Sequence, residues 1–195
     1  MKIHFISCSS NPGKCGITDY VNLLSKELEK NGHMAEVETI DSIKDFANIS
    51  KNLPSSDLYS LQFAPYAFSP SGLSKKELSK FAISLTNKNL HINFHEIWIG
   101  AYPKATWKEK TIGWLQKREI TNFINISKPS TITCSNAAAL DRLKQVGIDA
   151  KYLYLFGNIP YSSCKKNESW NQFKVVFFGS IYREFPYDQF AKVLL

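Results

Sequence analysis

"KIHFISCSSNPGKCGITDYVNLLSKELEKNGHMAEVETI", Lys2 to Ile40, decides the fold. Its opening residues, "KIHFIS", form a short apolar run suited to a buried strand. Ile17, Tyr20, Val21, Leu24 and Leu28 then recur at helical spacing. Asn31 and Gly32 stop that helix, glycine being suited to a left-handed cap. "MAEVETI", Met34 to Ile40, alternates apolar with polar and reads as a second strand. Strand, glycine-bearing turn, helix and strand make the unit of a parallel sheet, whose neighbouring strands need a crossover connection.

The same alternation runs on. A short helix is expected over Ile43 to Ile49, and "DLYSLQF" is a third strand followed by the loop "APYAFSPSG". Ser74 is placed to cap a helix reaching Thr86, with Glu77 completing the capping box. "LHINFHEIW", Leu90 to Trp98, is a fourth strand, and a long helix fits between Trp107 and Ile126. Pro129 ends the next connection and "STITCS" is a fifth strand. "NAAALDRLKQVG" is a helix with Asn136 near its cap and Gly147 at its stop, and "AKYLYLF" is a sixth strand. The pattern predicts an α/β fold: a Rossmann-like, doubly wound, mostly parallel sheet with helices on both faces. Residues 1–160 read as this domain and 161–172 as a polar linker. "FKVVFFGSI" and "YDQFAKVLL", within 173–195, read as a strand and partial helix that either open a second domain or add to the first sheet.

Composition sets the outer bounds. The 195 residues are 44% hydrophobic and 21% charged, ordinary for a globular chain with a real core. No apolar run approaches the roughly 20 residues of a membrane span. The N-terminus lacks the longer apolar region and cleavage site of a signal peptide, so a cytoplasmic protein is expected. Cys8, Cys15, Cys134 and Cys164 form no C-x-x-C pair, which argues against a zinc knuckle or a redox motif. Cys8 and Cys134 fall in strands, where a reduced cysteine acts as a small apolar residue, whereas Cys15 lies in the opening loop. The net charge of +7 suits nucleic acid, an anionic membrane face or phosphorylated substrates. With no arginine-rich tract and no zinc-finger spacing, a nucleic-acid partner is not expected.

In an open parallel sheet, ligands bind beyond the carboxyl ends of the strands. The opening loop, "FHEIW" and the end of "TITCS" all fall there. The loop carries Gly13 and Gly16 but not G-x-G-x-x-G, and Cys15 stands where a nucleoside-triphosphate loop needs Ser or Thr after its lysine. Gly16 then either lets backbone and the helix N-terminus approach an anion, or simply permits a tight turn; spacing leaves both open. His91 and His95 share a strand face, but four residues at ~3.3 Å each put them about 13 Å apart, too far for one metal. His95 at a strand end is placed to bond a substrate hydroxyl or share a proton, or equally to bond a neighbouring loop. Trp98, Tyr102 and Trp107 could stack on a sugar or lipid, or fill the edge of the core. N-capping accounts for Ser135 and Asn136.

Taken in order, "GKCGITDYVNLLSKELEKNGHMAEV", "LQFAPY", "INFHEIW", "TITCSNAAALDRLKQVG", "LYLFGNIP" and "KVVFFGSIYREFP" resemble the retaining GT-B glycosyltransferases of the family-four type. The resemblance covers essentially the whole chain. It implies the front, acceptor-side domain of a two-domain enzyme, plus the start of a nucleotide-sugar domain without the family's E-x7-E glutamates. It implies transfer of a hexosyl unit, with retention, from a nucleotide-diphosphate sugar to a glycan or lipid-linked acceptor. No metal or resident cofactor is implied, and the charge would suit contact with an inner membrane face. By the same resemblance His95 is the catalytic-centre histidine, and Cys15, Gly16 and Arg183 hold donor phosphate. Asp19, Tyr20, Tyr66, Glu96 and Trp98 would shape the acceptor site. Two other readings of the architecture are a nucleotide-sugar epimerase and a non-catalytic α/β binding module.

Overall fold

A computed structural model describes residues 1–8, 15–42, 45–68, 75–157, 188–189 and 192. The chain divides into two compact units, Met1–Pro160 and Tyr161–Leu195. The linker and the final strand expected from the sequence, with Ser74 and Arg183, lie outside the described residues.

In the first unit the order is β1 (Lys2–Cys8), α1 (Gly16–Lys30), β2 (Met34–Ile40), α2 (Asp45–Asn52), β3 (Leu58–Phe63), α3 (Pro65–Phe68) and α4 (Lys75–Leu85). It continues with β4 (Leu90–Phe94), α5 (Trp107–Ser127), β5 (Thr131–Cys134), α6 (Ala137–Gln145) and β6 (Lys151–Tyr152). The strands form one sheet in the order β2-β1-β3-β4-β5-β6. Every pairing is parallel. The α/β, Rossmann-like fold class expected from the sequence is therefore the one observed. The order turns at β1, with β2 on one side and β3 on the other, so β1 and β3 flank the topological switch point.

Local chemistry explains the elements. Gly32 adopts φ +80° just past α1, the left-handed stop that glycine accepts without strain. Thr106 and Glu109 form a reciprocal capping box at the start of α5. Asn136 caps α6 by accepting from Ala139 N at 3.2 Å. Three details differ from expectation. Pro65 opens a short helix inside the expected loop, its fixed φ suiting a first helical position. β4 ends at Phe94 rather than Trp98, and β6 spans two residues rather than seven.

The sheet has two unlike faces. On one, Leu61, Phe63, Ile92, Phe94, Ile132 and Cys134 join Phe46 of α2, Phe81 of α4 and Phe123 of α5 in one buried cluster. On the other, Ile3 and Phe5 of β1 pack against Tyr20 and Val21 of α1. Further along that second face, the buried residues of β3, β4 and β5 are polar.

Candidate functional site

Side chains alternate across a strand, so residues two apart on β3, β4 and β5 line up on one face. Ser60, Gln62, His91, Asn93, His95 and Thr133 become a connected ladder there. His91 Nδ1 lies 3.0 Å from Ser60 Oγ, and its Nε2 lies 2.8 Å from Thr133 Oγ1. Gln62 Nε2 donates to Ser60 Oγ at 2.8 Å, and Asn93 Nδ2 donates to Gln62 Oε1 at 3.1 Å. Thr133 Oγ1 donates to Asn93 Oδ1 at 2.9 Å. Ser60, Gln62 and Asn93 are each at most 2% exposed, so these bonds stand in for the water such groups would otherwise need.

His95 is the outer rung. Its Nε2 lies 2.8 Å from Gln62 Oε1, an oxygen that can only accept, so this nitrogen carries the proton. Asn93 Nδ2 is 3.1 Å from the same nitrogen and gives one of its two hydrogens to Gln62. Burial pushes the imidazole down to about 4, so it is neutral at ordinary pH. Burial thus fixes the charge and the ladder the tautomer. The other ring nitrogen, Nδ1, is left with a lone pair, and no described residue is seen donating to it. Tyr20 meets the ring edge-on, with centroids 5.4 Å apart, and stacks on Phe156 at 4.7 Å. Burial raises the Tyr20 phenol above its ordinary value.

Beyond the carboxyl ends of β4 and β5 lies a cavity of about 430 Å³. His95, Glu96, Trp98 and Tyr102 line one side. Asn136, Ala139 and Arg142, spaced three apart on α6, line the other. The volume falls within the roughly 300–1,000 Å³ of small-ligand pockets. The wall that carries Trp98 and Tyr102 is fastened to α5. Ile99 N donates to Gln116 Oε1 at 2.9 Å, and Gly113 lies so near that any Cβ there would be 1.9 Å from Ile99 O. Gly100, at φ +73°, gives the wall its turn, and a Cβ there would stand 2.6 Å from Glu109 O. Lys117 lies over the Trp98 ring at 5.9 Å.

The cavity brings together three of the expected site residues, His95, Glu96 and Trp98. Cys15 is the N-cap of α1, Gly16 its first residue and Asp19 lies in its first turn; none of the three is among the lining residues. Tyr20 reaches the site only through the His95 ring. Tyr66 falls in α3. Arg142 was missed, although "NAAALDR" placed it two steps of three beyond Asn136 on the same predicted helix. Asn136 was read as a cap alone; it caps α6 and lines the cavity as well.

Among the described residues no three His, Cys, Asp or Glu side chains group as a metal site. Among them, too, no helix is long and apolar enough to cross a membrane. No family model matches the chain. No curated protein matches it either. Among solved structures, it is similar to a candidate NADH-flavin reductase from Streptococcus pneumoniae TIGR4. The TM-score is 0.39 at 13% identity, over 69% of this chain and 70% of that one. It is also similar to RosB holding a bound 8-demethyl-8-formylriboflavin-5'-phosphate intermediate. There the TM-score is 0.33 at 10% identity, over 91% of this chain and all of that one.

These flavin-related structures are not glycosyltransferases, and the GT-B resemblance is corrected accordingly. With it go hexosyl transfer and the expectation of a chain without a cofactor. The nucleotide-sugar donor, the glycan or lipid-linked acceptor and the membrane-face contact are withdrawn too. The physical reason is visible in the motifs that carried the resemblance. Gly16 is the first residue of α1, and Gly32, at φ +80°, is a left-handed stop that helices of many families share. The histidine at the end of β4 is held by Gln62 and Asn93 of the sheet itself.

Proposed function

We infer that the cavity beyond β4 and β5 holds a small ligand with a planar ring and an anionic group, of the flavin- or nicotinamide-nucleotide class. One observation carries the reading. A neutral imidazole of fixed tautomer, two aromatic side chains and one guanidinium converge on a single cavity of fitting size at the carboxyl end of a parallel sheet. Trp98 and Tyr102 offer ring faces for stacking. Arg142 offers a forked donor for a phosphate, beside the N-terminal end of α6. His95 Nδ1 offers a lone pair to a ring N–H. Glu96 is placed to accept from ribose or ribityl hydroxyls. We place the protein in the cytoplasm, in keeping with the free thiols of Cys8, Cys15 and Cys134.

Titration calorimetry with flavin mononucleotide, AMP and NADH tests this. At least one should bind in the micromolar range, and Arg142→Ala should weaken it ~10–100-fold, the worth of a charge-assisted contact. With NADH, whose pyrophosphate takes up no proton near pH 6 as a phosphate monoester does, affinity should hold level from pH 8 to pH 5 and fall as His95 gains its proton near 4. Millimolar or weaker binding of all three would overturn the reading.

A further inference from the structure

The end of β1 and the start of α1 place two thiols together. Cys8 is the last residue of β1 and is wholly buried. Cys15 is the N-cap of α1, half-buried, and packs on the cluster that contains Cys8. Each thiol is near enough to the other to act on it electrostatically. Thr18 donates from Oγ1 to Cys8 O at 2.9 Å and so locks the first turn of α1 against the strand end. Their spacing in the chain, seven apart, hides the pairing from any C-x-x-C search.

We propose that Cys8 and Cys15 form a redox-active dithiol, in which Cys15 reacts with a low-molecular-weight disulfide and Cys8 resolves the product. Exposure sets the order, because a reagent from solvent meets Cys15 first. Cys15 Sγ, as thiolate, attacks one sulfur of the reagent. The reagent's S–S bond breaks, and one thiolate leaves with the electron pair and takes a proton. Cys8 then gives up its proton and attacks Cys15 Sγ, expelling the second thiolate, which is protonated in turn. Two protein thiols are oxidised to one disulfide, and the reagent is reduced to two thiols.

The electrostatics agree with that division of labour. Burial, then the neighbouring Cys15, pushes the Cys8 thiol up to about 12, so it stays protonated until called on. Burial works against the Cys15 thiolate, but hydrogen bonds from Thr18, Ile17 and Cys8 outweigh it and hold this thiol below its ordinary value. Cys134 is the internal control, being buried and raised by that burial.

The test uses the full chain with oxidised glutathione, read by intact mass and peptide mapping. Apart from any adduct on Cys164, the wild type should lose two hydrogens in mass and yield one peptide pair joined through Cys8 and Cys15. Cys8→Ala should stop at a glutathione adduct on Cys15. The rate of adduct formation in that variant should level off below pH 9, the ordinary thiol value. Cys15→Ser should react at least tenfold more slowly at Cys8. A persistent glutathione adduct on Cys15 in the wild type, or modification of Cys134 ahead of Cys15, would overturn the proposal. The wild-type mapping decides even if a variant fails to fold. Its outcome is independent of whether any nucleotide binds the cavity.

Discussion

The two faces of β3, β4 and β5 are built from alternate residues of the same strands, and they do different work. Leu61, Phe63, Ile92 and Phe94 turn to a face packed with aromatic rings; Phe63 meets Phe68 and Phe94 at 5.5 and 5.4 Å. Ser60, Gln62, His91 and Asn93 turn to a face where each polar atom has a directional partner. The ring face stabilises through buried area, which is tolerant of exact shape. The ladder adds little net stability per bond, but leaving one of its groups unpaired is costly. Its yield is geometry, because it holds one imidazole in one tautomer at the wall of a cavity.

Breaking the ring face should cost most. Phe63→Ala should destabilise by about 3–5 kcal/mol, measured by denaturant unfolding, while the ladder's effect on His95 persists until the fold is lost. Titrating the ladder face should come next. His95 is held near 4 when folded and rises to its ordinary value, 6.5, when unfolded. The unfolded chain therefore binds the proton first. Stability is full above pH 6.5, falls as pH drops from 6.5 to about 4, and levels off below, a loss of ~3 kcal/mol at most. Burial lowers His91 too, in the same direction. His95→Gln should flatten the slope; an unchanged slope would place the proton uptake elsewhere. A sharper probe of the ladder is Asn93→Leu. It strips partners from Gln62 and Thr133 and should cost ~2 kcal/mol in unfolding experiments. Neither face includes Trp107, which is 82% exposed. Trp107→Ala should change stability by less than ~0.5 kcal/mol, by the same measurement.

Alternation in "LYSLQF", "LHINF" and "TITC" made the sheet legible, because period two is a property of the backbone. It also told which residues share a face. It did not tell that the polar face would be covered, since burial depends on what α1 and the segment after β6 lay over it. For that reason His95 was found by its place at a strand end, while its partners Gln62 and Asn93 went unremarked as site residues. Arg142 needed the helix of "NAAALDR" to be set against the loop after β4, a contact between segments some 40 residues apart. The pairing of Cys8 with Cys15 needed the start of α1 to be set against the end of β1. The glycine and histidine motifs were read correctly as positions; the family inferred from them was not upheld.

Gly113 has one more consequence. A carbonyl sits where any larger residue would place its first carbon, and a glutamine amide on the next turn holds the N–H of that same residue, Ile99. The cavity wall and α5 are therefore mechanically one part, like a hasp riveted to a beam. A filled cavity should stiffen the beam over its whole length, and a load on its outer indoles, Trp107 and Trp114, would be felt at the hasp.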